Sequence, residues 1–414
     1  RSSMARTCDN SRRVSVPAIA GDRDCQHACV PVLPNIMPSP SAHALIAAEI
    51  QRAGGWLPFD RFMELALYAP GLGYYANASR KFGHMPDSGS DFVTAPEMTP
   101  LFGRTLAVQV AQALHMTQTD EVWEFGAGSG ALAGVLLETL GDAVRRYTIV
   151  DLSGTLRARQ QQHLQGFGDK VQWVHALPDA IQGVVLGNEV LDVMPVKLLA
   201  RAQGQWHERG VICADDGSLA WQDRLTHQRP PEDIAGQHDY LTETQAQAEA
   251  FVRTVTDKLL ASAKGGAAFF IDYGFPQSEY YHVQRSSGTV MCHRAHLVDD
   301  QPLLDVGSKD ITAHVNFTGI ALAAQQAGDD WLATQTEGTE RHEVGVLGYA
   351  TQARFLMNCG LLTQLDAQTL AQRAMAHKLL AEHEMGELFK VLGLYVGRPW
   401  EAIGFAHGDR TATL

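Results

Sequence analysis

The sequence predicts an α/β fold with a doubly wound, mostly parallel sheet, and three observations support it. From residue 121 onward, short apolar runs alternate with segments of helical periodicity. One of these runs, residues 183–187, is apolar throughout, as expected for a central parallel strand covered on both faces. A loop with glycines at alternate positions, residues 126–130, connects the first run to the helix that follows it. Strands alternating with helices imply right-handed crossovers, and hence this architecture.

An N-terminal helical cap, residues 37–118, is expected before this core. Residues 42–52 have helical periodicity, and a second helix starts near Pro58, a residue suited to a first turn. The run of glycines and tyrosines at 71–75 ends that helix, and residues 76–90 are predicted to be a mobile loop. A third helix is expected over residues 99–114.

The core, residues 119–400, is predicted element by element. An antiparallel insertion is expected over about 197–245, where the sequence changes to short, turn-rich pieces. A substrate-side α+β region is expected over about 276–385, and residues 390–396 are predicted to form an edge strand. Residues 401–414 are treated as a tail, and residues 1–36 as a disordered or wrongly extended N-terminus. The predicted strands are 121–125, 146–150, 171–174, 183–187 and 267–272, and the predicted helices are 131–140, 156–164, 243–263, 310–326, 348–358 and 367–384.

Composition excludes several classes of partner. The net charge of −13 repels phosphate backbones, so we expect no nucleic-acid partner. No apolar run is long enough for a membrane-spanning helix, and no secretory signal is present, so we expect no membrane insertion and a reduced cytosol as the compartment. Cys25, His27 and Cys29 lack a second ligand pair, and the histidines at 282, 293, 296 and 314 match no zinc spacing, so we expect no metal.

The glycine loop predicts the cofactor. Gly126, Gly128 and Gly130 are evenly spaced, whereas a dinucleotide fingerprint places its third glycine one residue later. Glu124 precedes them, and a carboxylate there suits the ammonium of S-adenosylmethionine better than a pyrophosphate. Asp151 ends the next strand and is placed to accept both ribose hydroxyls. We assign to the same site the neighbours of these residues, Ala127, Ser129, Leu152 and Ser153.

Polar residues follow the strand at 183–187. Asn188, Glu189 and Asp192 lie where strand ends face the ligand crevice, so we assign them to catalysis, with Asn188 also near the cofactor. The N-P-P-Y or D-P-P-Y motif of adenine and amide N-methyltransferases is absent. Asp192 is equally compatible with a turn anchor. The Asp-Tyr-Gly run at 272–274 either lines the cleft or is a packed strand end.

Several motifs occur in an order that resembles the MidA family of class I methyltransferases, relatives of a mitochondrial complex I assembly factor. They are DFVTAPE at 91–97, LFG at 101–103, EFGAGSG at 124–130, NEVLDVMPV at 188–196, GLGYY at 71–75, IDYGF at 271–275 and DITAHVNF at 310–317.

The resemblance covers about residues 37–399. It implies protein-arginine methylation, places Thr94, Pro96 and Glu97 near the methionine end of the cofactor, and implies a respiratory-complex subunit as partner. Asp151 is shorter than the glutamate expected there, and Asn316 stands where an aspartate is expected, which places a catalytic carboxylate there in doubt.

Three functions remain open at this point. The chain methylates a protein on arginine, methylates a small molecule, or binds S-adenosylmethionine as an assembly factor with little turnover. Bacterial cytoplasm is the expected location, with the mitochondrial matrix as the alternative. Tyr74 and Tyr75 either cover a ligand or pack the lid.

Overall fold

The computed structural model describes residues 41–77, 94–151, 154–294, 296–335 and 342–414. The N-terminal stretch with Cys25 and Cys29, most of the predicted loop at 76–90, and the site residues Leu152 and Ser153 lie outside these ranges. The helices are α1 Ala42–Arg52, α2 Phe59–Tyr68, α3 Ala95–Met98, α4 Pro100–Thr117, α5 Ala131–Leu140, α6 Gly154–His163, α7 Ala246–Leu260, α8 Gln277–Tyr280, α9 Phe317–Thr334, α10 Gln352–Asn358, α11 Leu361–Leu365 and α12 Leu370–Leu380.

The strands belong to one large sheet and two small ones. They are β1 Leu57–Pro58, β2 Glu121–Phe125, β3 Arg146–Val150, β4 Val171–Val174, β5 Gly183–Asn188, β6 Lys197–Ala202, β7 Gln205–Cys213, β8 Leu219–Leu225, β9 Tyr240–Thr244, β10 Gly266–Phe275, β11 Met291–Arg294, β12 Leu297–Asp299, β13 Asp310–Thr312, β14 Val315–Asn316, β15 Glu343–Thr351 and β16 Phe389–Gly397.

The large sheet confirms the predicted α/β class. Its strands run in the order β15-β16-β10-β5-β2-β3-β4, and β14 pairs with the end of β10. The pairs from β10 to β4 are all parallel, whereas β16 is antiparallel to both neighbours. Apolar side chains pack on both faces, with α4 and α5 on one side and α7 and α9 on the other. Such two-sided burial explains why β5 and β10 are nearly continuous apolar runs.

The insertion forms a separate antiparallel sheet, as predicted. Its strand order is β1-β7-β6-β9, with β8 paired to β7. Strand β1 comes from the N-terminal cap and pairs with Val211 and Gly210 of β7. The helices α1 and α2 pack their apolar faces against this sheet in one common core. The cap and the insertion therefore form one layer, a link that the sequence did not predict.

Three predictions for the C-terminal region are wrong in detail. Strand β16 is not an edge strand: it lies between β15 and β10, and nearly all of its residues are buried. Residues 348–351 belong to β15, so the helix predicted at 348–358 begins only at Gln352. Residues 310–316 form two short strands, and the helix predicted from 310 begins at Phe317. In the last two cases pairing with a neighbouring strand overrides a local helical pattern.

Within the described ranges, no helix is both long and apolar enough to cross a membrane.

Candidate active site

The glycine loop lies at the carboxyl end of β2 and leads into α5. Gly126, Gly128 and Gly130 all have positive φ, at 63°, 54° and 87°. L-residues with a side chain rarely adopt this conformation, so glycine at these positions permits the sharp path of the loop. A Cβ on Gly126 would lie 3.0 Å from the Val190 side chain, which shows how closely the loop approaches the end of β5.

Glu124 is buried beneath this loop. Its carboxylate accepts a hydrogen bond of 2.6 Å from the hydroxyl of Tyr147 on β3. Burial raises the pKa of Glu124 to about 7, the hydrogen bond from Tyr147 opposes the rise, and the charge of Asp151 adds to it. A buried carboxylate with this pKa is suited to pair with a cationic group brought by a ligand. No sequence pattern indicated Tyr147, because its contact with Glu124 joins two neighbouring strands of the sheet.

Asp151 ends β3 and is held by a residue that sequence reasoning missed. The Gln160 side chain on α6 donates 2.8 Å to the Asp151 carboxylate and 3.0 Å to the Gly128 carbonyl. Its own oxygen accepts a hydrogen bond of 2.9 Å from the indole of Trp173. Gln160 is fully buried and therefore fixes the predicted ribose acid relative to the glycine loop.

Helix α3 brings Thr94, Pro96 and Glu97 to the same place. Thr94 is the N-cap residue, and Pro96 lies in the first turn. The Ser129 hydroxyl of the glycine loop donates a hydrogen bond to the buried Glu97 carboxylate. This hydrogen bond places α3 against the glycine loop, and the approach of its residues to the methionine end of the cofactor stays a prediction.

The end of β5 carries Asn188 and Glu189. Glu189 adopts a left-handed backbone conformation, with φ of 53°, which turns the chain sharply after the strand. The Asn188 amide donates 3.1 Å to the Glu189 carboxylate. The pKa of Glu189 is raised to about 8, chiefly by burial. The charges of Asp192 and Asp310 contribute to the rise, and hydrogen bonds from Asn188 and from the Ala95 backbone oppose it. The Asn188 side-chain oxygen is buried and has no hydrogen-bond partner among the described residues.

Asp272 anchors the loop that follows Glu189. One oxygen of its carboxylate accepts from the backbone N–H groups of Val190, Leu191 and Asp192, at 3.1, 2.9 and 3.3 Å. The other oxygen accepts from the backbone N–H of Tyr273, at 3.0 Å. Of the two interpretations left open for Asp272, the structure supports the strand-end anchor. Asp272 and this loop are about eighty positions apart in the sequence, so no local spacing predicts the contact.

Asp192 is a buried acid at this loop. It accepts a hydrogen bond of 2.6 Å from the Tyr273 hydroxyl, and burial raises its pKa. Its second carboxylate oxygen is buried without a hydrogen-bond partner in the described residues. Hydrogen bonds from the backbone of Asp192 and Val193 oppose the rise in its pKa, so the turn-anchor interpretation stays open beside a ligand role.

Tyrosines and a further acid complete the acidic cluster, which we define as Glu189, Asp192, Asp272 and Asp310. Tyr75 donates 2.8 Å to Asp310 on β13, and its ring stacks on Tyr68 with centroids 5.7 Å apart. Tyr68 donates 2.8 Å to the Val193 carbonyl. Tyr68 and Tyr75 therefore lie beside the acidic cluster, whereas Tyr74 is buried in the core of the cap.

Asn316 is the N-cap residue of α9. Its side-chain oxygen accepts from the Gly319 N–H and caps α9. Among the described residues, no group of three or more His, Cys, Asp and Glu side chains is arranged to hold a metal ion. His314 is partly buried beside Tyr273, and burial lowers its pKa to about 4, with Arg285 and Lys390 contributing.

Comparisons with known proteins agree with this geometry. Residues 105–334 match a family described as S-adenosyl-L-methionine-dependent methyltransferases. The chain belongs to this family. A methyl transferase from Burkholderia thailandensis bound to S-adenosyl-homocysteine is 46% identical, covers 90% of this chain and 96% of its own, and superposes with a TM-score of 0.83.

Curated relatives are more distant. The mitochondrial protein arginine methyltransferase NDUFAF7 homolog of Drosophila melanogaster is 26% identical, with 86% of each chain covered. The human protein of that name is 24% identical, with 83% of this chain and 81% of that protein covered. The chain is thus an S-adenosylmethionine-dependent methyltransferase with a class I fold, as the motifs predicted. The roles of individual site residues stay predictions.

Proposed function

We propose that this methyltransferase transfers a methyl group to an arginine side chain of a protein. The acidic cluster carries the proposal. No ion pair among the described residues involves Glu189, Asp192 or Asp272. Asp192 and Asp272 are buried at the carboxyl edge of the sheet and Glu189 is partly buried there, and all three have a raised pKa. Buried carboxyls without a cation favour a cationic ligand. A guanidinium meets this need with five donors in a planar fork.

The cofactor fits the other half of the site. The open turn of the glycine loop, the Glu124 carboxyl and the Asp151 carboxyl would hold its methionine and ribose groups, with Glu97 and Asn188 nearby. When bound, S-adenosylmethionine supplies an electrophilic methyl group on sulfonium. The protein then has to align a nitrogen of the acceptor with that methyl group and exclude water from it.

The acidic cluster would prepare the acceptor. Glu189 and Asp192 hold the guanidinium by charge-assisted hydrogen bonds, concentrate its positive charge on the nitrogens they contact and leave one nitrogen free to attack. Asp272 acts as a positioning residue, because it holds the loop that carries both acids. When the attacking nitrogen is methylated it gives up a proton, and one of these ionised carboxylates would take it up.

Radiolabelled methyl transfer tests the proposal. The protein is incubated with methyl-labelled S-adenosylmethionine and a cell lysate, and labelled bands are analysed by mass spectrometry. We expect a methylarginine in a protein band, and Glu189→Gln should abolish the label while S-adenosylhomocysteine still binds. Glu138→Gln, an exposed change on α5, is the matched control. Label confined to small molecules, or cofactor binding without any acceptor, would instead support the other two functions.

Partner and compartment are proposed with the relatives as a guide. The NDUFAF7 proteins are named as mitochondrial, which supports the mitochondrial alternative. The bacterial cytoplasm remains our other proposal for the compartment. We propose a protein substrate in either case, with a respiratory-complex subunit as the first candidate to test. Purified candidate subunits in the same labelling assay would identify or eliminate it.

A further inference from the structure

A group of basic and aromatic side chains lies beside the acidic cluster, and the mechanism above does not use it. We call it the basic subsite and define it as Arg285, Lys390, His314 and Phe275. The Arg285 guanidinium carbon lies 3.7 Å from the centroid of the Phe275 ring, and the Lys390 amine lies 5.7 Å from it. His314 packs on the same ring, with centroids 5.3 Å apart. Two cationic groups thus surround one aromatic side chain.

Contacts between rings connect the basic subsite to the proposed catalytic loop. The Tyr273 hydroxyl donates to Asp192, and the Tyr273 ring lies edge-on to His314 with centroids 5.2 Å apart. Tyr273 and Phe275 are two positions apart on β10, so they point to the same face and lie about 7 Å apart along the strand. Tyr273 therefore contacts Asp192 with its hydroxyl and lies about two residues of an extended chain from Phe275 of the basic subsite.

Arg285 has unused hydrogen-bonding capacity. Its guanidinium forms no hydrogen bond or ion pair with any other described residue, and its side chain is partly exposed. The Lys390 amine, by contrast, donates to the carbonyls of Glu387 and Leu388. Two carboxylates, Glu387 and Glu279, act on the charge of Lys390, and Glu387 also pairs with Arg410 at 2.6 Å.

His314 adds a second unpartnered group. Its Nδ1 atom is buried and has no hydrogen-bond partner among the described residues. Its backbone is fixed at both ends, since its N–H donates 3.1 Å to the Thr289 hydroxyl and its carbonyl accepts from Gln245. An imidazole held in this way presents its ring beside Phe275 in a defined orientation.

We propose that the basic subsite binds a carboxylate side chain of the substrate protein, one or two residues from the methylated arginine. The Arg285 guanidinium is the principal donor, and a planar fork on an aromatic face is well suited to a carboxylate. The Lys390 amine, 5.7 Å from the centroid of the Phe275 ring, adds positive charge to the subsite. The enzyme would then select substrates in which an acidic residue lies close to the methylated arginine. The basic subsite would bind the acidic side chain, and the acidic cluster would hold the arginine. This inference rests on the proposed function.

Short synthetic peptides test this inference. Each contains one central arginine, with Glu or Gln at each flanking position in turn, and is assayed with methyl-labelled S-adenosylmethionine. At one flanking position we expect Glu to raise kcat/KM about tenfold over Gln, the order expected for a charge-assisted hydrogen bond at a partly exposed site. Arg285→Gln should bring this ratio close to one. Arg253→Gln is the matched control, because Arg253 is an exposed arginine paired with Asp330 on a distant surface.

Peptide binding to the protein loaded with S-adenosylhomocysteine, measured by fluorescence anisotropy, separates the two proposals. A preference for Glu that depends on Arg285, without methylation of any peptide, would support the basic subsite and overturn the proposed function. Methylation with equal rates for Glu and Gln peptides would overturn the basic subsite alone. Peptides that are neither methylated nor bound with a preference for Glu would overturn both.

Discussion

Substitution of Glu189 by Gln should change how folding stability depends on pH. In the folded protein, burial raises the pKa of Glu189 from 4.5 to about 8, whereas in the unfolded chain the carboxyl returns to its ordinary value. Between these values the folded state keeps a proton that the unfolded state has lost. Stability therefore falls as the pH rises through this interval. Gln at this position carries no titrating proton, so the variant lacks this part of the loss.

The size of the effect follows from the two pKa values. A proton that the folded state keeps and the unfolded state has lost changes the free energy of unfolding by about 1.4 kcal/mol per pH unit. Raising the pH from 5 to 8 should therefore lower the stability of the wild type by up to about 3 kcal/mol more than that of Glu189→Gln. The side chain keeps some exposed surface, which makes this figure an upper limit. The charge of Glu189 also helps to raise the pKa of Asp272. Its removal in the variant should lower that pKa, which acts in the same direction.

Urea unfolding at a series of pH values measures this difference without any substrate. We expect the stability of Glu189→Gln to rise relative to wild type with pH, whereas Glu138→Gln, an exposed change, should follow the wild type. If the Glu189→Gln and wild-type curves stayed parallel within about 0.5 kcal/mol, the carboxyl would be ionised and solvated in the folded state. That result would refute the electrostatic reasoning about the acidic cluster.

Three further predictions concern the positioning residues. Asp272→Asn weakens the acceptor for three backbone N–H groups, so urea unfolding should show a loss of stability of about 2 kcal/mol. Methyl transfer should fall at least about tenfold, whereas the affinity for S-adenosylhomocysteine, measured by calorimetry, should be nearly unchanged. Gln160→Leu removes the hydrogen bonds to Gly128 and the ribose acid, so calorimetry should show about tenfold weaker cofactor binding; unchanged affinity would contradict that role. Cofactor binding should weaken as the pH falls through about 7, where Glu124 is protonated, and Tyr147→Phe should move this transition to higher pH, because the lost hydrogen bond favours the ionised form. A calorimetric pH series unchanged by Tyr147→Phe would show that Glu124 does not control binding.

Local patterns predicted the parts of the site that depend on neighbours in the chain. The glycine loop, Glu124 and Asp151 follow from one strand-loop-helix-strand unit, and its periodicity and spacing are visible in the sequence. Long-range contacts were not predictable in this way. Asp272 reaches the loop after β5 across about eighty residues, and Gln160 reaches Gly128 from the middle of a helix.

The edge-strand error has the same origin. The run at 391–396 is apolar apart from its glycine and was predicted to be an edge strand, but its place in the sheet depends on β15. Residues 348–351 of that strand were interpreted as the start of a helix. Once β15 is recognised as the outer partner, β16 must lie inside the sheet. A continuous apolar run near the chain end thus predicts an interior position better than an edge.

The acidic cluster is unfavourable to folding unless something cationic binds to it. Folding buries Glu189, Asp192 and Asp272 together, and no described lysine or arginine forms an ion pair with any of them. A site selected for stability alone would replace such groups with amides or apolar side chains. Glu189→Gln should therefore give a protein that is more stable above neutral pH and inactive, a combination typical of residues kept for function. If the variant were more stable and still fully active, the methyl acceptor would have to bind elsewhere. The proposal that the acceptor is a guanidinium would then lose its main support.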